Sequence, residues 1–430
     1  MMARVVFVWV IGIWGTALYA QCDRADLLGF PSSISAAPGS QNEVAIEDFD
    51  ADGDLDVVFT NADEDRIAVR FGFGTGLWGD PVYYESGSEP HDVCAADLDS
   101  DGDLDLVVTN INGRSISVYE NNGAGFFAEQ VVYSVGSGPI AVSAADLDTD
   151  GRVDVVVGNS TSESLSILLN QGDMVFADAV TVPATNDLRA LVLEDFDQDG
   201  NVDIAYLQFS SSGDDLYILA GHGDGTFSSA EQFDAGDRPR VLTCGDIDGD
   251  GYQDLLVGGG YESSLMCFVN QGNGEFIRHT VAENALSSGL DIADIDGDGF
   301  VDILGSNTSS IQGRVFVLFG NGTLSFDLVS YTAVSSSLPR GVYAADMNND
   351  GAVDLVRNTL SALYILNNTC PKACNSMADL NGDGVVNFFD AAWFINLYQS
   401  DQASADLTGD GVLNFYDVSL YLEFFTAACP

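Results

Sequence analysis

DLDSDGDLDLVV, residues 97–108, is the stretch from which the fold is read. It is one copy of Asp-x-Asp-x-Asp-Gly-x-x-Asp followed by a short apolar run. The chain carries seven copies, with their first Asp at Asp48, Asp97, Asp146, Asp195, Asp246, Asp294 and Asp346. The steps between them are 49, 49, 49, 51, 48 and 52 residues. A period this constant marks a repeat architecture. Carboxylates at positions 1, 3, 5 and 9, around a glycine that permits a tight turn, form an oxygen cage suited to Ca2+.

Outward from the loop, every repeat has the same grammar. In the second it runs HDVCAADL, the Asp loop, DLVVTN, SISVYENN and GAGFFAEQVVYSV. These are four short β-type runs, A to D, and the Asp loop joins A to B. They are rich in Val, Ile, Leu and Ala, as strands buried on both faces are. Run C ends in a Gly-rich turn leading to Phe, as in NNGAGFF, NQGDMVF, GHGDGTF, NQGNGEF and GNGTLSF, which reads as the C–D hairpin. Seven four-stranded antiparallel units predict an all-β, seven-bladed β-propeller, because a closed ring leaves no open edge. The last copy stops after run C, SALYILNN, near Asn368. Its missing run D has a counterpart in GFPSSISAAPGS, residues 29–40, which is expected to complete the last blade and lock the ring.

The repeats resemble the FG-GAP/VCBS family found in integrin α-subunit heads, some fungal lectins and many bacterial exported proteins. The resemblance spans residues 27–368. It implies that each Asp loop binds a structural Ca2+ in the A–B hairpin through positions 1, 3, 5 and 9. Carried onto this chain, the ligand sets are Asp48, Asp50, Asp52 and Asp56; Asp97, Asp99, Asp101 and Asp105; Asp146, Asp148, Asp150 and Asp154; and Asp195, Asp197, Asp199 and Asp203. The last three are Asp246, Asp248, Asp250 and Asp254; Asp294, Asp296, Asp298 and Asp302; and Asp346, Asn348, Asp350 and Asp354. Asn348 removes one charge, so the seventh site is expected to be the weakest.

After the propeller the grammar changes. Residues 369–378 read as a linker, and residues 379–430 carry two loops 27 residues apart, ADLNGDGVVNFFD and ADLTGDGVLNFYD. Each has the form of an EF-hand calcium loop. The side-chain ligands are Asp379, Asn381, Asp383, Asn387 and Asp390, then Asp406, Thr408, Asp410, Asn414 and Asp417. An apolar-rich helix is expected after each loop, making this a small all-α domain. A duplicated loop-then-helix unit resembles a dockerin, the module that docks exported proteins onto cohesins. That implies a cohesin-like or envelope docking partner. Phe388-Phe389 and Phe415-Tyr416 stand where small or polar recognition residues are common in dockerins. They read either as core or as a docking patch of different specificity.

The 430 residues carry 66 acids against 14 Lys and Arg, a net charge of -52. That balance excludes nucleic acid as a partner, since phosphate neutralisation needs basic residues. With 46% hydrophobic residues the chain can build a core, and half of its acids fall in the loops just described. Residues 1–20, MMARVVFVWVIGIWGTALYA, read as a secretory signal peptide with Arg4, a short apolar run and a small-residue end. No later stretch reads as a membrane span. The expected location is secreted or cell-surface. Of seven cysteines, Cys94, Cys244 and Cys267 lie in strand-like runs and read as buried small apolar residues. The other four are expected to form two disulfides, Cys22 with Cys370 or Cys374 and the remaining one with Cys429.

No catalytic constellation is visible, and His91, His222 and His279 sit in no metal or nucleophile motif. One register position stands out. Six residues before each loop, at the start of strand A, are Asn42, His91, Ile140, Arg189, Arg240, Ser288 and Arg340. Strand A lines the channel of a propeller, so these side chains are expected to ring the mouth opposite the calcium loops. His91, Arg189, Arg240 and Arg340 are the candidate ligand-binding residues, suited to an anion on an acidic glycan or a peptide. The competing reading is that each Arg pairs with an acid of a neighbouring blade and helps close the ring. The reading reached is a calcium-binding, non-catalytic binding or adhesion protein for a glycan or protein ligand, tethered through its C-terminal module. The alternatives are a polysaccharide-degrading lyase or hydrolase on a propeller scaffold and a purely structural envelope protein.

Overall fold

In a computed structural model of the chain, the residues described are 32–35 and 41–368, except 210–214, 237, 260–263, 284, 286, 308–313, 333–339 and 360–361, together with 394, 395, 397, 398 and 418. The run after each Asp loop is the interior of a sheet. Asp105–Asn110 and Asp154–Asn159 are buried at every residue, and β-branched side chains fill both of their faces. Each repeat forms one four-stranded antiparallel sheet in the order A, B, C, D. In blade 2 the strands are Pro90–Ala96, Asp105–Asn110, Ser115–Tyr119 and Val131–Ser134. The C–D turn closes through an isolated bridge between Asn121 and Phe127, repeated at Asn170 and Phe176 and at Gly221 and Phe227.

There are seven such sheets, and successive A strands pack side by side around the axis. The apolar core lies between blades. Phe49, Val58 and Val69 of blade 1 meet Val93, Leu106, Tyr119 and Phe127 of blade 2 in one cluster. The same arrangement recurs between blades 2 and 3 and between blades 4 and 5. The fold is the expected seven-bladed propeller.

The N-terminal segment closes it as expected. Ser32–Ser35 pairs antiparallel with Ala362–Leu366, in register from Ser32 opposite Ile365 to Ser35 opposite Ala362. It is the fourth strand of the sheet formed by Val342–Ala345, Asp354–Asn358 and Ala362–Leu366. Ile34 is buried there among Val44, Phe59, Val356 and Leu363. Side-chain contacts bridge blades 7 and 1. The Tyr343 hydroxyl donates to Glu43 at 2.9 Å, and Asn349 Nδ2 donates to Asp54 at 2.6 Å.

The chain divides into two units, Ala25–Thr369 and a second made of Met1–Arg24 with Cys370–Pro430. In the second unit residues 394–395, 397–398 and 418 are helical, where the sequence places helices after the two loops. Phe394 is buried and its ring centroid lies 6.0 Å from that of Tyr398. The signal segment 1–20, the linker, the EF-type ligands Asp379 to Asp417, the paired aromatics and the four cysteines expected in disulfides lie outside the described residues. Cys94, Cys244 and Cys267 are free thiols, with Cys267 buried and the other two half-buried. Among the described residues no helix is long and apolar enough to cross a membrane.

Candidate calcium loops and channel mouth

All seven Asp loops share one conformation. The position-1 carboxylate accepts the N–H of the position-6 glycine at 2.8–3.1 Å, from Gly53 onto Asp48 through to Gly351 onto Asp346. Position 4 is left-handed, with φ of 57° at Ala51, 66° at Ser100 and 56° at Asn349. The turn curls the carboxylates inward. Oxygens of Asp48, Asp50 and Asp56 lie within 4.8 Å of one another, as do those of Asp97, Asp99 and Asp101, of Asp146, Asp148 and Asp154, of Asp195, Asp197 and Asp199, and of Asp246, Asp248 and Asp250.

Position 9 has a second role that the sequence did not reveal. Asp56, Asp105, Asp154, Asp203, Asp254, Asp302 and Asp354 are buried. In each, Oδ2 accepts the N–H of loop position 2, as Phe49 donates to Asp56 at 2.9 Å. Oδ1 accepts an N–H at or just after the end of strand C, as Gly72 donates to Asp56 at 2.8 Å. One carboxylate therefore ties the loop to the C–D turn. Burial pushes these groups up, to about 7 in Asp56, Asp302 and Asp354, against the pull of their backbone donors.

The loops fit a hard dication. Their side-chain donors at positions 1, 3, 5 and 9 are carboxylate oxygens apart from Asn348. Asp48 Oδ1 and Asp148 Oδ1 are buried without a hydrogen-bond partner. A buried anionic oxygen left unpaired is costly unless a cation meets it. Bound Ca2+ would supply that charge and hold the A–B hairpin. The third loop departs from the rest, since Arg152 contacts Asp150 and its Nε donates to the Asn170 carbonyl at 2.8 Å.

At the opposite end of strand A the expected register set comes together. His91, Ile140, Arg189, Arg240, Ser288 and Arg340, with Glu43, line a cavity of about 370 Å³. It is confluent with a space of about 230 Å³ that also reaches Asp92, Leu191, Leu242, Leu290 and Tyr343. In blade 1, Glu43 lines this cavity; the side chain of Asn42 is outside the described set.

The sequence reading missed the acids of the mouth. Glu43 and Asp92 stand one position after the register set, where the next five blades have Ala141, Ala190, Val241, Gly289 and Gly341. That comparison would have found them. A regular strand points neighbours to opposite faces, but pairing slips between Gln41 and Val44 and between Pro90 and Val93. Such bulges re-aim side chains, so both His91 and Asp92 border the cavity. Burial raises both carboxyls above the usual range, opposed at Glu43 by the Tyr343 hydroxyl and Arg340 and reinforced at Asp92 by Glu43. His91 is lowered to about 4, first by burial and then by Arg340 and Arg189. Its Nδ1 lies 3.1 Å from the Ile140 carbonyl, which can only accept, so Nδ1 carries the proton and Nε2 the lone pair.

The arginines divide between the two readings. Arg340 acts on Glu43 of the next blade, as a ring-closing pair would. Arg189 pairs with Asp187 of its own blade at 2.7 Å, both more than a third exposed. Arg240 has no carboxylate partner among the described residues. Its guanidinium carbon instead lies 5.2 Å from the Phe209 ring centroid, with Arg189 at 5.0 Å and Arg238 at 5.8 Å from the same ring.

The model of the FG-GAP-like repeat matches residues 48–108, 97–157, 146–206, 195–257 and 246–305, and that of the dockerin type I domain matches residues 377–423. No curated protein matches the chain. Among solved structures, an Agrocybe aegerita lectin studied for specific recognition of non-reducing terminal N-acetylglucosamine is 21% identical, with a TM-score of 0.52 over 69% of this chain and 81% of its own. BBS1N in complex with ARL6DN is 14% identical, with a TM-score of 0.55 over 80% of this chain and 97% of its own. At these identities the likeness is one of fold.

Proposed function

The chain belongs to the FG-GAP-like repeat family and carries a C-terminal dockerin type I domain, and from that membership we propose that it is an exported, calcium-stabilised, non-catalytic binding protein. Its propeller takes a glycan or protein ligand at the channel mouth. Its dockerin tethers it to a cohesin-like partner outside the cell. Dockerin type I domains bind calcium and pair with cohesins, which supports the anchoring half of the reading. The observation that carries the other half is the cavity into which His91, Arg189, Arg240 and Arg340 converge in a chain of net charge -52. A basic concavity in an acidic protein focuses anions.

The test is an array of acidic and neutral glycans and of extracellular proteins, probed with calcium and with chelator. Calcium-dependent retention without turnover is the expected result. Arg189, Arg240 and Arg340 changed together to alanine should abolish retention of acidic ligands while melting stays nearly unchanged. A large loss of stability with no binding defect would establish the ring-closing role instead. For the tether, full-length protein should be captured by a cohesin, and capture should disappear without residues 377–423.

A second reading has one specific observation behind it. Glu43, Asp92 and neutral His91 border the same cavity as the arginines, an acid and base set suited to a polysaccharide-active enzyme. Release of shortened or unsaturated products from any glycan on the array would favour it.

A further inference from the structure

We propose that the channel mouth is an end-binding site for a uronic acid: it takes the terminal acidic sugar of a polysaccharide, with its carboxylate held between Arg189 and Arg240. The inference deepens the binding reading above and rests on it.

The first ground is the support of the two arginines. They come from adjacent blades, yet their guanidinium carbons lie 5.0 and 5.2 Å from the centroid of one ring, Phe209. An aromatic under both guanidinium groups fixes their direction and lowers the entropy lost when they grip a ligand. Arg238 stands 5.8 Å from the same ring. The two guanidinium groups over one phenyl group repel each other, and Asp187, on Arg189, is the one carboxylate seen against Arg189 or Arg240 among the described residues. A ligand carboxylate between Arg189 and Arg240 relieves that repulsion and matches their planar forks.

The second ground is the division of charge around the rim. Arg189 and Arg240 belong to blades 4 and 5, whereas Glu43 and Asp92 belong to blades 1 and 2 on the other arc, where Arg340 of blade 7 offsets Glu43 in part. A run of carboxylates, as in an acidic peptide, would bring a second anion against those acids. A uronic acid carries one carboxylate on a ring of hydroxyl groups. Its hydroxyls both donate and accept, which suits the Glu43 carboxyl group and the unprotonated Nε2 of His91, while the Asp92 oxygens already accept the N–H groups of Val93 and Val142.

The third ground is shape. The cavity of about 370 Å³ is encircled by the A strands, at the low end of the size of small-ligand sites. A polymer enters a pocket encircled in this way by an end.

The experiment is calorimetric titration of full-length, calcium-loaded protein at low salt. The probes are galacturonic, glucuronic, mannuronic and guluronic acids, their trimers and hexamers, galactotriose and hexaglutamate. At least one uronic acid is expected to bind, with its monomer, trimer and hexamer agreeing within about threefold. Galactotriose and hexaglutamate should bind at least about tenfold more weakly. Arg240→Ala should lower affinity about 10- to 100-fold, the loss of a charge-assisted hydrogen bond. Arg240→Lys should recover only part of it, because lysine lacks the fork. Phe209→Leu should weaken binding while leaving the charges in place. Melting with calcium shows whether each variant is folded, and weakening of the wild-type complex by salt provides a readout that needs no variant.

The proposal is overturned if no uronic acid binds, if affinity climbs steadily with chain length, if hexaglutamate binds as well, or if folded Arg240→Ala binds normally. Retention of a neutral glycan or a protein by that same variant would leave the broader binding reading standing while removing this one.

Discussion

The carboxamide of Asn121 donates to the carbonyl oxygen of Phe49 at 2.8 Å, across the boundary between blades 2 and 1. Phe49 is position 2 of the first Asp loop, and the same Asn121 Nδ2 also donates to Leu104 at 3.1 Å. One side chain thus ties the Asp loop of one blade to the hairpin of the next. Asn170 repeats the link to Leu98, Asn270 to Phe196 and Asn368 to Ile295. Blades 1, 4 and 6 have Gly72, Gly221 and Gly320 there, and a Cβ on Gly72 would stand 2.2 Å from the Leu55 carbonyl oxygen.

Asn121→Ala is therefore expected to leave two carbonyls short of a buried donor and to cost about 2–3 kcal/mol. Urea unfolding in calcium reads this directly. Asn121→Asp should be at least as damaging, because it turns the donor into an acceptor. A cost under about 0.5 kcal/mol for both variants would show that the link is incidental.

Ring closure rests on Ser32–Ser35, and Ile34 is its one buried apolar side chain, 4% exposed. Ile34→Ala should cost about 2–4 kcal/mol from lost burial and the residual cavity. Ile34→Asp should cost more, and should expose the edge of Ala362–Leu366 to strand pairing between molecules. Light scattering and thermal unfolding check both outcomes. Unchanged stability would mean that the ring closes without this strand.

Calcium removal should destabilise the propeller, since chelation leaves Asp48 Oδ1 and Asp148 Oδ1 buried and unpaired. A site held at 100 times its dissociation constant contributes about 2.7 kcal/mol, so several sites together should move the melting temperature strongly. Two loops are expected to contribute least. The seventh carries Asn348 in place of an acid, and in the third Arg152 already contacts Asp150. Arg152→Gln should therefore raise calcium affinity at the third loop, measured by calorimetric titration. Equal melting with calcium and with chelator would refute the structural role.

Much of the fold was legible because the Asp-Gly loop can sit only in a tight A–B hairpin and recurs seven times, which brings the same register position of every strand A to one mouth. His91, Arg189, Arg240 and Arg340 were found that way. Glu43 and Asp92 were not, because period-two alternation puts them on the opposite face until bulges turn them. Phe209 and Arg238 escaped for another reason. Phe209 follows the last residue of strand B in blade 4, and Arg238 precedes strand A of blade 5, so loop path brings them together, not repeat phase. The double hydrogen bond of Asp56 and its equivalents was also hidden, since a carboxylate at position 9 reads the same whether it serves a cation, a backbone or both.

His91 supplies the remaining prediction. Burial, then Arg340 and Arg189, hold it near 4 against an ordinary value of 6.5. The unfolded chain thus takes up a proton at this residue below about 6.5 that the folded chain refuses until about 4. Through that window the unfolded state binds more protons, so His91 lowers stability as pH falls, by up to about 3 kcal/mol. His91→Gln should lose less stability than the wild type between pH 6.5 and 4.5. In a histidine-labelled sample the His91 ring should remain neutral at pH 5.5 by NMR. Arg340→Ala should move its midpoint upward without reaching 6.5, because burial is the larger cause. A midpoint near 6.5 in the wild type would mean that the ring is open to solvent, and His91 would no longer be a neutral member of the mouth.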